Sequence, residues 1–189
     1  SRWYSGAGIY RRVWLKSYPE CHLVTDGVYI SADIDGTVTI TSETERPENV
    51  PAAELSVRHT VICDGKNLAS VERSCCAFDR SRVPETILRD GCKYTVNTDT
   101  LQIENPELWD IENPKLYTLV TELVRNGEII DREENRFGFR EIEFTPDNGF
   151  FFFFLHVKLH GCCEHHDLSS LGAAVNRTAI KRKLELLRT

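Results

Sequence analysis

Alternation of apolar and polar residues, interrupted by glycine-containing turns, is the feature that most constrains the fold of this chain. In one such run, Val28, Ile30, Ala32 and Ile34 alternate with small or polar residues. Successive side chains of a strand point to opposite faces, so a period of two predicts a half-buried strand. The pattern continues from residue 20 to about residue 144.

Three dipeptides divide these runs: Asp35-Gly36, Asp64-Gly65 and Asn126-Gly127. They suit tight hairpin turns, because Gly and Asn tolerate positive φ. Further alternating runs flank them, namely Val38 with Ile40, Leu55 to Cys63, Leu116 to Val124 and Glu128 to Arg136. Several short strands with turn signals and no long helical period predict a mainly β fold built around an antiparallel β-sandwich.

The pattern changes near residue 145. An almost uninterrupted apolar run from Phe150 to Leu159 predicts a strand covered on both faces, as in parallel α/β sheets. After a polar stretch at residues 160–167, Ser169 or Ser170 is predicted to cap a helix that runs to about Arg188. The apolar residues of that helix fall on one face: Ile180, Leu184 and Leu187. Strand, loop and helix together predict the first unit of a β/α fold.

The composition and charge of the chain exclude some functional classes. The 189 residues carry 23 Lys and Arg against 29 Asp and Glu, a net charge of -6. Phosphate affinity needs clustered positive charge, so a dedicated nucleic-acid binder is excluded. No run of eighteen apolar residues exists, so the sequence predicts no membrane-spanning helix. The chain has no Met and begins with Ser1, so we expect an internal piece of a longer protein.

The seven cysteines include two adjacent pairs and no C-x-x-C spacing. An odd number in this arrangement does not predict a disulfide framework. The cysteines therefore leave the compartment open between cytoplasm, periplasm and the outside of the cell.

The densest group of metal-ligand residue types runs from His156 to Asp167 and contains the sequence HGCCEHHD. One hypothesis is a zinc site, because imidazole and thiolate suit that metal. Zinc motifs, however, pair ligands two to four residues apart, whereas these ligand types are adjacent. The preferred interpretation is a polar loop at the end of a strand, with no metal. Such loops carry active sites in β/α barrels.

Three stretches resemble glycoside hydrolase family 2, the family of β-galactosidases and β-glucuronidases. They are WYSGAGIYRRVWL at residues 3–15, ENPELWDIENPKLYTLVTEL continuing to DREENRFGFR at residues 104–140, and VKLHG followed by EHHDLSSLGAAVNRTAIKRKLELL at residues 157–187. Their order and spacing match the family along nearly the whole chain. EHHDLSSLGAA is most similar to the β-galactosidase branch.

The resemblance implies three domains. Residues 1–15 would be the remnant of an N-terminal sugar-binding jelly roll, and residues 16–140 an immunoglobulin-like sandwich. Residues 141–189 would begin a truncated catalytic TIM barrel. In the sandwich, Trp109 and Tyr117 would be core anchors.

The family hydrolyses β-glycosides with retention, using two Glu residues about 5 Å apart as acid/base and nucleophile. The resemblance places both beyond residue 189, so this chain is expected to hold no catalytic residue and no cofactor. The divalent cation of some members would also bind downstream. The expected partner of the parent protein is a β-glycoside substrate, and the parent can be a homo-oligomer. No nucleic acid or membrane is expected as a partner.

One substrate contact is implied within the chain. His165 matches a family histidine that hydrogen-bonds sugar hydroxyls after the first barrel strand, and His166 and Asp167 are weaker candidates. The chain also departs from the family. Relatives have an Asn-Gly turn between two short strands that enter the barrel, and FFFFLH at residues 151–156 offers no good turn former there. The sequence does not predict whether that hairpin survives.

A second function remains open from sequence: a non-catalytic β-sandwich module with a carbohydrate-binding or structural role. The two hypotheses differ in whether the reading frame continues into strands that carry the catalytic Glu residues. A third and weaker hypothesis is the metal-binding segment at residues 156–167.

Overall fold

The computed structural model describes residues 8–75, 91–153, 155–161, 163, 165–168 and 172–187. These residues contain ten strands, a short 3-10 helix at Ala52–Glu54 and one α-helix. The chain divides into two compact units, residues 18–158 and residues 1–17 with 159–189. Within the described ranges, no helix has the length and apolar character needed to cross a membrane.

Seven strands of the larger unit form two antiparallel sheets. The three-stranded sheet has the order β1-β2-β5, from strands β1 (His22–Ala32), β2 (Thr37–Pro47) and β5 (Cys92–Gln102). The four-stranded sheet has the order β4-β3-β6-β7, from strands β3 (Leu55–Cys63), β4 (Lys66–Ser74), β6 (Tyr117–Arg125) and β7 (Glu128–Phe137). The mainly β, antiparallel architecture predicted from alternation is confirmed.

Two of the predicted turns are tight hairpins. Asp64 and Gly65 have φ of 48° and 76° between β3 and β4, and Asn126 and Gly127 have 53° and 84° between β6 and β7. Positive φ at both central residues is the hairpin geometry that matches strand twist. The third turn, between β1 and β2, is closed by the Gly36 N–H donating to the Asp33 carbonyl at 2.9 Å.

The two sheets share a core with two apolar clusters. The first contains Val38, Ile40, Val61, Leu101, Ile103, Tyr117, Leu119, Phe137 and Phe139. The second contains Cys21, Leu23, Val50, Ala52, Leu55, Val57, Cys75 and Leu123. Each cluster contains residues from strands of both sheets. Within β2 and β3 the buried apolar residues alternate, as Val38 with Ile40 and Leu55 with Val57, which agrees with the predicted period of two. Burial of this apolar area is the main term that favours folding.

Tyr117 is an anchor of the first cluster, as predicted. It is 3% exposed, and its hydroxyl oxygen accepts the Glu107 N–H at 2.8 Å. Its ring packs edge-on against Phe139 at 4.9 Å. Trp109 differs, because it is half-buried and packs edge-on against Phe152 at 5.5 Å. Trp109 therefore connects the sandwich to the strands that follow it.

The prediction of a single strand from Phe150 to Leu159 is wrong. The structure has a separate three-stranded antiparallel sheet of order β10-β9-β8, from strands β8 (Ile142–Thr145), β9 (Gly149–Phe152) and β10 (Leu155–His156). The chain reverses at Phe153, which has a φ of 48°. A hairpin of β9 and β10 therefore forms without an Asn-Gly turn. Phe152 is buried on Trp109, whereas Leu155 is 70% exposed, so the run is not covered on both faces.

A positive φ at a bulky residue is rare, and it makes the Phe153 turn testable. We expect Phe153→Gly to be more stable than Phe153→Ala by about 1 kcal/mol, because only Gly adopts the left-handed region without a Cβ penalty. Both variants lose the ring contact of Phe153 with Phe152, so their difference isolates the backbone. Urea unfolding measures it. An Ala variant at least as stable as the Gly variant would contradict the turn conformation.

The α-helix of the smaller unit is shorter than predicted. Helix α1 (Arg177–Leu187) begins after Asn176, whose side-chain oxygen accepts the Ala179 N–H at 2.9 Å. The predicted caps, Ser169 and Ser170, lie outside the described residues. Asn176 is the cap because its side chain satisfies a donor of the first turn. The predicted apolar face is present and largely exposed: Ile180, Leu184 and Leu187.

The segment that resembles the jelly roll has no strand in its described part. Residues 8–15 are irregular and exposed, and residues 1–7 lie outside the described residues. The expected jelly-roll strands are therefore not seen at residues 8–15. The domain boundaries at residues 15 and 140 remain predictions.

Candidate functional site

The polar segment after β10 is the candidate site named from sequence. Residues 157–161, which resemble the first barrel strand, contain no strand, and Val157 donates its N–H to the Phe150 carbonyl at 3.0 Å. The described residues between Val157 and Asn176 are irregular throughout. The expected strand is thus absent from residues 157–161, and His165 lies in a loop.

Helix α1 holds this loop through Lys183. The Lys183 ammonium donates to the Asp167 carbonyl at 2.9 Å and lies 3.9 Å from the Asp167 carboxylate. The Asp167 N–H in turn donates to the His165 carbonyl at 2.8 Å. The three candidate residues are therefore adjacent, with Asp167 partly buried and the imidazoles of His165 and His166 exposed. Exposed imidazoles can donate and accept hydrogen bonds, which is what a sugar hydroxyl requires.

The described part of the chain contains no set of ligands for the zinc site considered from sequence. No group of three or more His, Cys, Asp or Glu side chains comes together there in a way that could hold a metal ion. Cys162 and Glu164, two members of the sequence cluster, lie outside the described residues.

A second polar group, which the sequence did not point to, lies inside the sandwich. His59 on β3 is 0% exposed and sits between the two apolar clusters. Its Nε2 lies 3.4 Å from Ser42 Oγ and 3.6 Å from Asp99 Oδ2, and its Nδ1 lies 3.1 Å from Thr121 Oγ1. Arg73 Nε reaches Asp99 Oδ1 from the surface at 2.5 Å, with 61% of the Arg73 side chain exposed.

Ser42, His59 and Asp99 have the residue types of a catalytic triad but not its geometry. A triad places the hydroxyl and the carboxylate on opposite ring nitrogens, so that one nitrogen takes the hydroxyl proton while the carboxylate orients the imidazole. Here both face Nε2, and the opposite nitrogen faces Thr121. All three triad-type residues are fully buried, so no substrate can reach them. The group is a structural polar layer, which we call the His59 layer.

Burial sets the ionisation of this layer. Desolvation lowers the pKa of His59 to about 4, so the imidazole is neutral near neutral pH. Desolvation raises the pKa of Asp99, and the positive charge of Arg73 opposes that rise. Among the described residues, neither Asp99 oxygen has a hydrogen-bond donor of good geometry. The ion pair with Arg73 is therefore the interaction that offsets the cost of burying the carboxylate.

The buried imidazole predicts a loss of stability in mild acid. The folded pKa of about 4 lies below the ordinary value of 6.5, so the unfolded chain binds the proton first as the pH falls. The free energy of unfolding should drop by about 2 kcal/mol between about pH 7.5 and pH 5. The raised pKa of Asp99 acts in the opposite sense at lower pH, because there the folded state gains the proton more readily.

Urea unfolding at several pH values measures this effect, and His59→Gln is the matched control. Glutamine keeps a donor and an acceptor but does not titrate. Its stability should be nearly flat over the same interval. A variant with the same pH dependence as the unchanged chain would show that other groups cause the loss.

Comparisons with known proteins identify relatives of the whole chain. The family model described as Glycosyl hydrolases family 2 matches residues 22–140. A β-galactosidase of Bacteroides ovatus, BoGH2A, is 36% identical over 196 aligned positions that cover 100% of this chain and 21% of the relative. A β-glucuronidase of Formosa agariphila is 29% identical over 182 positions, covering 89% of this chain and 17% of that protein.

Solved structures agree with these relatives. A glycosyl hydrolase family 2 member from Bacteroides cellulosilyticus superposes with a TM-score of 0.81 and 31% identity. The match covers 99% of this chain and 23% of that one. The chain therefore spans about a fifth of the length of the relatives it matches.

Proposed function

Because the chain belongs to glycosyl hydrolase family 2, we propose that it is part of a retaining β-glycosidase, of the β-galactosidase type, that acts in carbohydrate metabolism. Its place in that enzyme is the domain that connects a sugar-binding jelly roll to the catalytic barrel, together with the start of the barrel. The observation that carries this proposal is the match of the family model to residues 22–140, which include all seven strands of the two larger sheets.

An immunoglobulin-like identity of the sandwich is supported by its topology. Seven antiparallel strands form a three-stranded and a four-stranded sheet around one core, as in immunoglobulin-like domains. Tyr117 lies at the start of β6, and its hydroxyl bonds back to the Glu107 backbone. This matches the tyrosine corner of such sandwiches, a Tyr near the start of a late strand bonded to upstream backbone.

The catalytic carboxylates belong, in this proposal, to the part of the enzyme that lies outside these residues. The relatives are about five times as long as the chain, which leaves room for a complete barrel. The divalent cation that some family members use would bind in that same part. Within the chain, His165 is proposed to hydrogen-bond a sugar hydroxyl, with His166 and Asp167 as weaker candidates. Lys183 would position their loop through its bond to Asp167.

We expect the purified 189-residue chain to hydrolyse no nitrophenyl β-galactoside. Without an acid/base and a nucleophile at the bond, the barrier reduction that these groups supply is missing. The longer protein that contains this chain should hydrolyse the same compound, and proton NMR should show the β-anomer as the first product. Turnover by the chain alone, or an inverted first product from the longer protein, would overturn the proposal.

A further inference from the structure

A groove opens on the sandwich between the edge strands of the two sheets. It has a volume of about 500 Å³. One wall comes from β1, the other from the end of β7 and the residues after it, and Trp109 and Leu116 complete it. Among the described residues, β1 and β7 are edge strands of their sheets.

The groove is positive within an acidic chain. Arg136 and Arg140 line it, and no Asp or Glu is among the described residues of its wall. Neither arginine has an ion-pair partner in the described part of the chain. By contrast, Arg132 on the same strand pairs with Glu134 at 2.6 Å and approaches Glu122 at 3.7 Å. Two unpaired guanidinium groups in one groove favour an anionic ligand.

Aromatic side chains stand beside these charges. The Tyr29 side chain is 62% exposed at the rim, and the half-buried Trp109 ring lies 5.8 Å below the Arg140 guanidinium carbon. The Phe152 edge and the backbone bond from the Trp109 N–H to the Phe139 carbonyl hold the indole in place. Rigid aromatic faces pack against apolar ring surfaces, and the Ser31 hydroxyl can bond a ring substituent.

We propose that this groove binds an acidic saccharide, one whose ring carries a carboxylate. A guanidinium offers paired N–H donors in a plane, which match the two oxygens of a carboxylate. The exposed Tyr29 ring contacts the sugar ring, and Arg136 and Arg140, the latter held over Trp109, bind the acid group. The site is distinct from the loop at His165, and it does not depend on the proposed glycosidase activity.

Titration calorimetry on the 189-residue chain at low salt tests the proposal with a galacturonate hexamer. Neutral cellohexaose, a sulfated galactan hexamer and a hexaglutamate peptide are the comparison probes. We expect the galacturonate hexamer to bind at least tenfold more tightly than each of them. Arg136→Gln and Tyr29→Ala should each weaken its binding at least tenfold, because one removes a charge and the other an aromatic face.

Arg132→Gln is the matched control, because it removes a guanidinium from β7 outside the groove. It should leave the affinity within about twofold of the unchanged chain. Urea unfolding of each variant confirms that the sandwich is intact. Equal binding of cellohexaose, the sulfated hexamer or hexaglutamate would overturn the carboxylate-saccharide assignment. Absence of galacturonate binding, or equal weakening by Arg132→Gln, would overturn the groove as its site.

Discussion

Replacing Gly36 with Ala should lower the free energy of unfolding by about 4 kcal/mol, the largest stability change that we expect from adding one methyl group. Gly36 has a φ of +91°, and a Cβ there would collide with the Ile103 carbonyl oxygen. That oxygen is backbone, so the β1–β2 turn or the chain after β5 must move. The movement would also break the bond from the Ile103 N–H to the Gly36 carbonyl, 2.9 Å long.

Gly65→Ala separates the close approach from the backbone conformation. Gly65 also has positive φ, +76°, but among the described residues no heavy atom beyond its chain neighbours lies within 4 Å of the position that an alanine methyl group would occupy. Its substitution should cost only about 1–2 kcal/mol, the left-handed penalty alone. Urea unfolding of both variants gives the comparison. Equal losses of unfolding free energy in the two variants would mean that the Ile103 backbone moves at little cost. The close approach of Ile103 would then not be the reason for glycine at position 36.

In the glycosidase that we propose contains this chain, His165→Ala should lower kcat/KM by about 10- to 1000-fold while leaving the melting temperature nearly unchanged. The imidazole is exposed in a loop that Lys183 holds through Asp167, so its removal opens no cavity. A hydrogen bond to a sugar hydroxyl that strengthens in the transition state accounts for the size of the effect. Steady-state kinetics and thermal melting on the same preparations measure both quantities.

His59→Ala provides the contrasting control in the same enzyme. His59 is fully buried and hydrogen-bonded, so its loss should lower the melting temperature and leave kcat/KM of the folded enzyme near normal. The two histidines thus separate a substrate contact from a structural role. A His165→Ala enzyme with unchanged kcat/KM and a lowered melting temperature would contradict the sugar contact.

Strands and hairpins were predictable because they depend on local chemistry. The alternation in β3 and the dipeptides Asp64-Gly65 and Asn126-Gly127 correctly indicated the antiparallel architecture. Tyr117 was expected to be an anchor and is one. The end of the strand that contains Phe150 was not predictable. Phe153 turns the chain with a positive φ, and a bulky side chain gives no local signal for that conformation.

Buried polar residues were the main feature that the sequence concealed. Residues 41–46, TSETER, are polar throughout and suggest an exposed segment, yet all six are buried. Two of their partners lie on other strands: Tyr94 donates to the Glu45 carboxylate at 2.8 Å, and Ser42 Oγ lies 3.4 Å from His59 Nε2. The candidate loop was located by family resemblance, whereas its anchor to Lys183 depends on tertiary structure.

The His59 layer has a consequence for how the strands choose their alignment. Sliding β3 by two residues along β6 would keep every inward side chain facing inward, so alternation alone cannot forbid it. Such a slide would remove His59 from Thr121 and place it opposite Leu119 or Leu123. A buried imidazole would then lack its hydrogen bond, at a cost of about 1–3 kcal/mol. The His59 layer therefore favours the native pairing of β3 with β6 over the pairing shifted by two residues.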